Sequence, residues 1–172
     1  MPITDSLLPE FDHEMANTRK MLALVPDDKL GWQPHRKSMD LAALASHVAT
    51  IPHWVSGIVT TDSFDFMPPG GPPYSVPRAG SAAESLAMFD QCVAEARAAL
   101  AGATDERLAQ PWSLLDGGHT IFNMPRIACI RGMVMNHLIH HRGQLSVYLR
   151  LLNVPIPGMY GPSADEPNPM AG

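Results

Sequence analysis

The sequence predicts an all-α protein, a single domain built as a bundle of four helices. Four stretches carry apolar residues at three-and-four spacing, strand-like alternation is nearly absent, and proline- and glycine-rich breaks separate the stretches. The 172 residues suit one domain over 1–172, ending in an irregular tail over 154–172.

The first helix is predicted from about Ile3 to Val25, on Leu7, Leu8, Phe11, Met15, Met21 and Leu22, with Pro26 as its stop. The second runs from near Ser38 to about Thr61. Leu41, Leu44, Val48, Ile51, Val55 and Ile58 form its stripe. Pro52 falls inside, where a missing backbone donor kinks or breaks a helix. Met67 to Gly80 is dense in proline and glycine and reads as a long surface connection. The third helix opens on the capping box Ser81-Ala82-Ala83-Glu84 and continues to about Ala101, where Gly102 ends it. A short polar helical turn follows at Thr104 to Leu108. Asp116-Gly117-Gly118 is a turn signal between short apolar flanks, a place where a small hairpin fits. The fourth helix is predicted from about Met124 to Asn153, with Asn123 as cap and Pro125 in its first turn. Prolines 155, 157, 162, 167 and 169 make the tail irregular.

Composition narrows the function. The net charge of −5 and pI near 5.8 disfavour a nucleic-acid surface. The basic residues Arg19, Lys20, Lys29, Arg36 and Lys37 are interrupted by Asp27 and Asp28 and read as a solvated face. No apolar run reaches the roughly 20 residues that a membrane span needs. Met1 to Pro9 contains Asp5 and no basic residue, unlike a secretory signal. Cys92 and Cys129 form no CxxC pair and read as buried free thiols, so a reducing, cytoplasmic setting is expected. Phosphate-loop, GxGxxG and GxSxG motifs are absent from the sequence.

The eight histidines carry the functional signal. Ile127, Ile130, Val134, Leu138, Leu145 and Leu149 define the core stripe of the fourth helix. At about 100° per residue, His141 falls within that stripe, His137 on its edge and His140 well off it. His137 and His141 therefore share a face at i, i+4, the spacing by which one helix offers two imidazoles to one metal. The glutamate of an HExxH site is missing, since position 138 is Leu. A third ligand is needed, and His47 sits at the core edge of the second helix between Leu44 and Val48. His53 lies on another face, and His35 and His119 are in loops. Spacing alone leaves His13 open as a rival to His47, and His140 as a rival to His141. A lone core-edge histidine is more often a hydrogen-bonded core residue than a ligand. Two uncompensated imidazoles side by side are costly, because their nitrogens need partners.

At this point the chain resembles a known family. His137-Leu138-Ile139-His140-His141-Arg142-Gly143-Gln144-Leu145 resembles the signature of the DinB-like (DNA-damage-inducible) metal-binding proteins. So do Trp32-Gln33-Pro34, Lys37-Ser38-Met39, Leu44-Ala45-Ser46-His47-Val48, and Val154-Pro155 with Tyr160-Gly161-Pro162-Ser163-Ala164-Asp165-Glu166. The resemblance implies an up-down-down-up four-helix bundle, commonly a homodimer. It implies nickel, zinc or a similar divalent ion on three histidines, which match His47, His137 and His141. It also implies kinship with transferases and isomerases that use low-molecular-weight thiols.

Three imidazoles leave a coordination position open, where a thiol is deprotonated. Neither cysteine adjoins the ligands in sequence, so an external thiol acting on a small electrophile is the enzyme reading. The alternatives are a non-catalytic, stress-related binder of metal or small ligands, and histidines that serve packing alone. Trp54, two turns after His47, and His140 and Gln144, beside His141, are candidates for the pocket or for supporting a ligand. Trp54 also fits as a core tryptophan. Arg142 points away from the His141 face and suits a surface or subunit salt bridge, or an anionic substrate. Gly143, costly inside a helix, suggests a close helix approach or room for a ligand. Asp165 and Glu166 are tail carboxylates able to fold over the site.

Overall fold

The structure is a computed structural model that describes residues 1–167. The predicted residues 168–172 of the tail, Pro169 among them, lie outside the described residues. Helix α1 spans Ile3–Leu22, α2 Leu41–Thr50, α3 Trp54–Thr60 and α4 Ala82–Ala101. A short α5, Asp105–Ala109, precedes strands β2 (Pro111–Asp116) and β3 (His119–Pro125). Strand β1, Ser63–Asp65, follows α3. Helix α6 (Arg126–Cys129) passes through a π-helical segment, Ile130–Asn136, into α7 (His137–Leu151).

The all-α expectation is corrected: the chain is mostly helical with a small three-stranded sheet in the order β1-β2-β3. β2 and β3 pair antiparallel through a two-residue loop, Gly117-Gly118, with φ of 59° and 82°. Both values lie in the left-handed region that a tight primed hairpin turn demands and that glycine adopts at no steric cost. β1 then adds parallel to β2, Ser63 opposite Ser113. The Asp65 carboxylate accepts from the backbone N–H groups of Met67, Gly117 and Gly118 at 2.8–3.0 Å and ties β1 to the hairpin turn. The fourth predicted helix therefore starts late. Asn123, Met124 and Pro125 belong to β3, and the Asn123 amide donates to Ser113 Oγ across the ladder instead of capping a helix. Proline at the end of a strand has no ladder donor to lose.

The predicted second helix is two helices. Pro52 sits in the 3-10 turn Ile51–His53, which separates α2 from α3. α2 opens at Asp40, whose side chain accepts from Ala43 N–H and from Arg78. Ser81 caps α4 through Glu84 N–H, while the Glu84 carboxylate takes the Gly80 N–H. Thr104 caps α5.

The stripes meet in one core. Leu7 and Phe11 of α1, Leu44 and Val48 of α2, Val55 and Ile58 of α3, Phe89 and Leu100 of α4, and Leu138, Leu145 and Leu149 of α7 are all buried. α4 packs on α1, α2 and α3, and α7 packs on α2 and α1. Trp112 of β2 is fully buried. The connection Met67–Gly80 is irregular as expected, yet it is pinned: Tyr74 packs on Trp54 and Phe64, and Ala79 N–H donates to buried Ser46 Oγ.

One charged pair lies inside. The side chains of Arg142 and Glu14 are 3% and 8% exposed, and Arg142 Nη2 lies 2.7 Å from Glu14 Oε2. Arg142 also donates to the Glu14 carbonyl and to Thr18 Oγ1. The Tyr160 hydroxyl donates to both carboxylate oxygens of Glu14 and accepts from Arg142. The surface role read for Arg142 is corrected accordingly: it faces α1. Removing one member strands a buried charge, so Glu14→Ala should lower the free energy of urea unfolding by about 3–5 kcal/mol, and the charge-free pair Glu14→Met with Arg142→Met should recover most of that loss. A loss below about 1 kcal/mol would show that water reaches the pair.

Candidate metal centre

α2 and α7 each bring one edge of a buried stripe to the same point. His47 lies beside buried Leu44 and Val48, and His137 and His141 flank buried Leu138. The three rings stand 4.5–5.0 Å apart by centroid. Each offers a ligand atom, and these atoms all lie within 4.8 Å of one another. No cysteine or carboxylate joins the three among the described residues.

Hydrogen bonds orient the rings. His137 Nδ1 lies 3.1 Å from the Met133 carbonyl, which can only accept, so Nδ1 carries the proton. His141 Nδ1 lies 2.8 Å from Gln144 Oε1, and Gln144 Nε2 lies 3.0 Å from His140 Nε2. The Nε2 atoms of His137 and His141 face each other at 2.8 Å. His47 Nε2 lies 3.3 Å from His137 Nε2. Tetrahedral ligands at Zn–N distances of about 2.0–2.1 Å stand roughly 3.3 Å apart; the His47–His137 pair has that spacing, and the His137–His141 pair is closer.

Electrostatics favour the neutral rings that a metal needs. Burial first, then the neighbouring charges of His141 and His137, push the His47 pKa down to about 4. Burial likewise lowers His137 and His141 from their ordinary value; the Met133 and Gln144 bonds oppose that shift, and His140 adds to it.

The other candidates are placed as follows. His140 is exposed and meets His141 through Gln144. Trp54 is not brought to the imidazoles. It packs against Phe64, Phe66 and Tyr74 at 4.7–5.5 Å, because the break at Pro52 interrupts the helix that would have put it above His47. His13 pairs with Asn17 on α1. His53 lies 3.6 Å from Glu95. Asp165 binds Arg150 and the Ile156 N–H, and Glu166 takes the Gly158 and Ser163 N–H groups; both brace the tail. Sequence reading missed a cleft of about 460 Å³ beside His141, walled by Met39, Leu44, Val147 and Tyr148. Its signal was the pair Val147 and Tyr148 on the side of the helix next to His141.

A mostly helical protein with three converging imidazoles on two packed helices belongs to the class of candidate metal-binding helical proteins. The chain is a member of the DinB superfamily, whose family model matches residues 10–145. It is 26% identical to the uncharacterised protein YrdA of Bacillus subtilis (strain 168), over 94% of this chain and 90% of that one. Its fold is similar to two solved structures. A DinB-like protein from Bacillus cereus ATCC 10987 has a TM-score of 0.68 at 23% identity, over 92% of this chain and 98% of that one. A DinB-like protein, YjoA, from Bacillus subtilis has a TM-score of 0.67 at 18% identity, over 90% and 96%.

Gly143, two residues past His141, has no atom within 4 Å of where a Cβ would stand, so it marks open space and not a close helix approach. Gly143→Ala should therefore raise the urea-unfolding free energy by about 1 kcal/mol, the helix-propensity difference. A loss of stability would mean that a partner occupies that space.

Proposed function

We propose that the protein binds one divalent transition ion, zinc or nickel, through His47, His137 and His141. The observation that carries this is the convergence of three imidazoles whose ligand atoms all lie within 4.8 Å of one another in a half-buried site. Imidazole nitrogens crowded this closely need shared partners, and burial lowers the pKa of His137 and His141, which favours the neutral rings that a metal takes. Imidazole donors suit zinc, nickel and copper alike.

We further propose a thiol-dependent transfer to a small electrophile. When bound, the ion supplies a positive centre that lowers the pKa of a thiol or water. Gln144 meets His141 at Nδ1 and Met133 meets His137 at Nδ1, which leaves both Nε2 atoms turned toward the shared point. The cleft of about 460 Å³ beside His141 gives a small molecule access. The protein's own thiols are poor candidates. Burial pushes both Cys92 and Cys129 up, which favours an external cosubstrate thiol. The unbridged cysteines support a reducing, cytoplasmic setting. A homodimer and the up-down-down-up order of the bundle belong to the same reading and are carried by the resemblance to the family.

Elemental analysis tests the first proposal. The wild type should hold about one equivalent of zinc or nickel per chain, as a single three-ligand site does. His141→Ala should lose it while the helical circular-dichroism signal persists. No metal after supplying zinc and nickel would overturn the proposal. Gln144→Leu should weaken metal binding about 10–100-fold in a chelator competition, the usual effect of losing an outer hydrogen bond to a ligand. Unchanged affinity would remove Gln144 from the site. Thiol consumption with a panel of small electrophiles, present in the wild type and lost in His141→Ala, tests the transferase; metal without turnover would leave a non-catalytic binder.

A further inference from the structure

The cations of this chain are almost all spoken for. Every arginine except Arg36 is ion-paired: Arg19, Arg78, Arg97, Arg107, Arg126, Arg131, Arg142 and Arg150 each meet an Asp or Glu within 3.3 Å. Lys29 pairs with Asp28, and Lys20 reaches Asn17. Only Arg36 and Lys37 meet no anionic or hydrogen-bonding partner through their side chains among the described residues. They are adjacent, in an exposed loop of a chain whose net charge is −5.

Their position gives this meaning. Lys37 lines the cleft beside His141, and no carboxylate lines it. The opposite wall is apolar: Met39 is 43% exposed and Val147 56%, backed by Leu44 and Tyr148. The loop is held in place, because the Tyr148 hydroxyl donates to the Met39 carbonyl and the Tyr148 ring stands edge-on to Trp32 at 5.5 Å. His35 Nδ1 accepts the Lys37 N–H and fixes the turn that presents the lysine. The cleft thus has a metal-ligand histidine at one side, an apolar wall and an unpaired cationic rim.

We propose that this cleft binds a small molecule with an apolar body and an oxyanion head, a carboxylate or a phosphate. The apolar body lies on Met39, Leu44 and Val147, and the head is held by Lys37 with Arg36 beside it. Only the His141 end of this inference rests on the metal-binding reading; the anion site stands on Lys37 and the wall.

The test follows the Met39 methyl by NMR in the full chain, in metal-loaded and EDTA-treated samples. The probes are hexanoate, hexyl phosphate and hexan-1-ol, which share a tail and differ in the head. At least one anion should bind about fivefold more tightly than the alcohol in both samples, the ratio that a partly exposed ion pair supplies. Comparing hexanoate with hexyl phosphate tells which head is preferred. In Lys37→Gln, and in the double variant Arg36→Gln with Lys37→Gln, the preference should fall below about twofold while the alcohol binds as before. Equal binding of all three probes would overturn the proposal. So would a preference that survives Lys37→Gln or vanishes on chelation, since the anion would then be seated on the metal. Elemental analysis of the same samples decides the metal reading separately.

Discussion

The buried pair of Glu14 and Arg142 sets the rotation of α7, and the candidate site depends on that rotation. Successive residues of an α-helix differ by about 100°. Fixing Arg142 against α1 through Glu14, Thr18 and the Glu14 carbonyl therefore also fixes the direction of His141 next to it and of His137 one turn earlier. α2 packs on the adjoining side of α7 and supplies His47. A hydrophobic contact in place of the ion pair would hold the helices together with less angular precision, because apolar contacts are non-directional. Specificity of this kind is a reason for a fold to keep a buried pair whose desolvation roughly cancels its attraction.

The π-helical segment Ile130–Asn136 ends where His137, the first of the paired imidazoles, stands. Such segments are rare and gather at functional sites. This one joins α6, which follows directly from the hairpin, to α7, which carries Arg142. The cleft is built on the other side of the same helix, from Val147 and Tyr148, against a loop held by the Tyr148 hydroxyl. One helix thus serves three neighbours: α1 through a charge, α2 through the imidazoles and the Lys37 loop through a tyrosine.

Much of this was legible in the residues. The stripe of Leu41, Leu44, Val48, Ile51, Val55 and Ile58 is buried throughout, and Pro52 marks the break between two helices. The Gly117-Gly118 turn was visible because only a primed turn needs two such residues. The sheet was not, since β1 is three residues long and its parallel partner lies about fifty residues away. Asn123 and Pro125 mimic a helix start, and only pairing with β2 overrides that local preference. Arg142 was misread because a charged residue off the apolar stripe is ordinarily solvated, and its partner Glu14 lies 128 residues away in sequence. Only a helix continuous through Pro52 would align Trp54 with His47, and the turn at Ile51–His53 removes that alignment. The convergence of His47 with His137 and His141 is a long-range fact that the i, i+4 spacing suggests on one side only; the resemblance to a family singled out His47.

The wide separation of the three imidazoles bears on biosynthesis. His47 and His137 are 90 residues apart, and Glu14 and Arg142 are 128 apart. A nascent chain is made from its N-terminus at about 5–20 residues per second, so several seconds separate the emergence of α2 from that of α7. During that interval the growing polypeptide presents a single imidazole of the set. A lone imidazole competes poorly for scarce transition ions against the rest of the cell. Contacts of such long range also close late and slowly in folding. On the proposed reading, ion capture is thereby deferred until α7 has docked, and a half-made polypeptide does not withdraw metal from the pool.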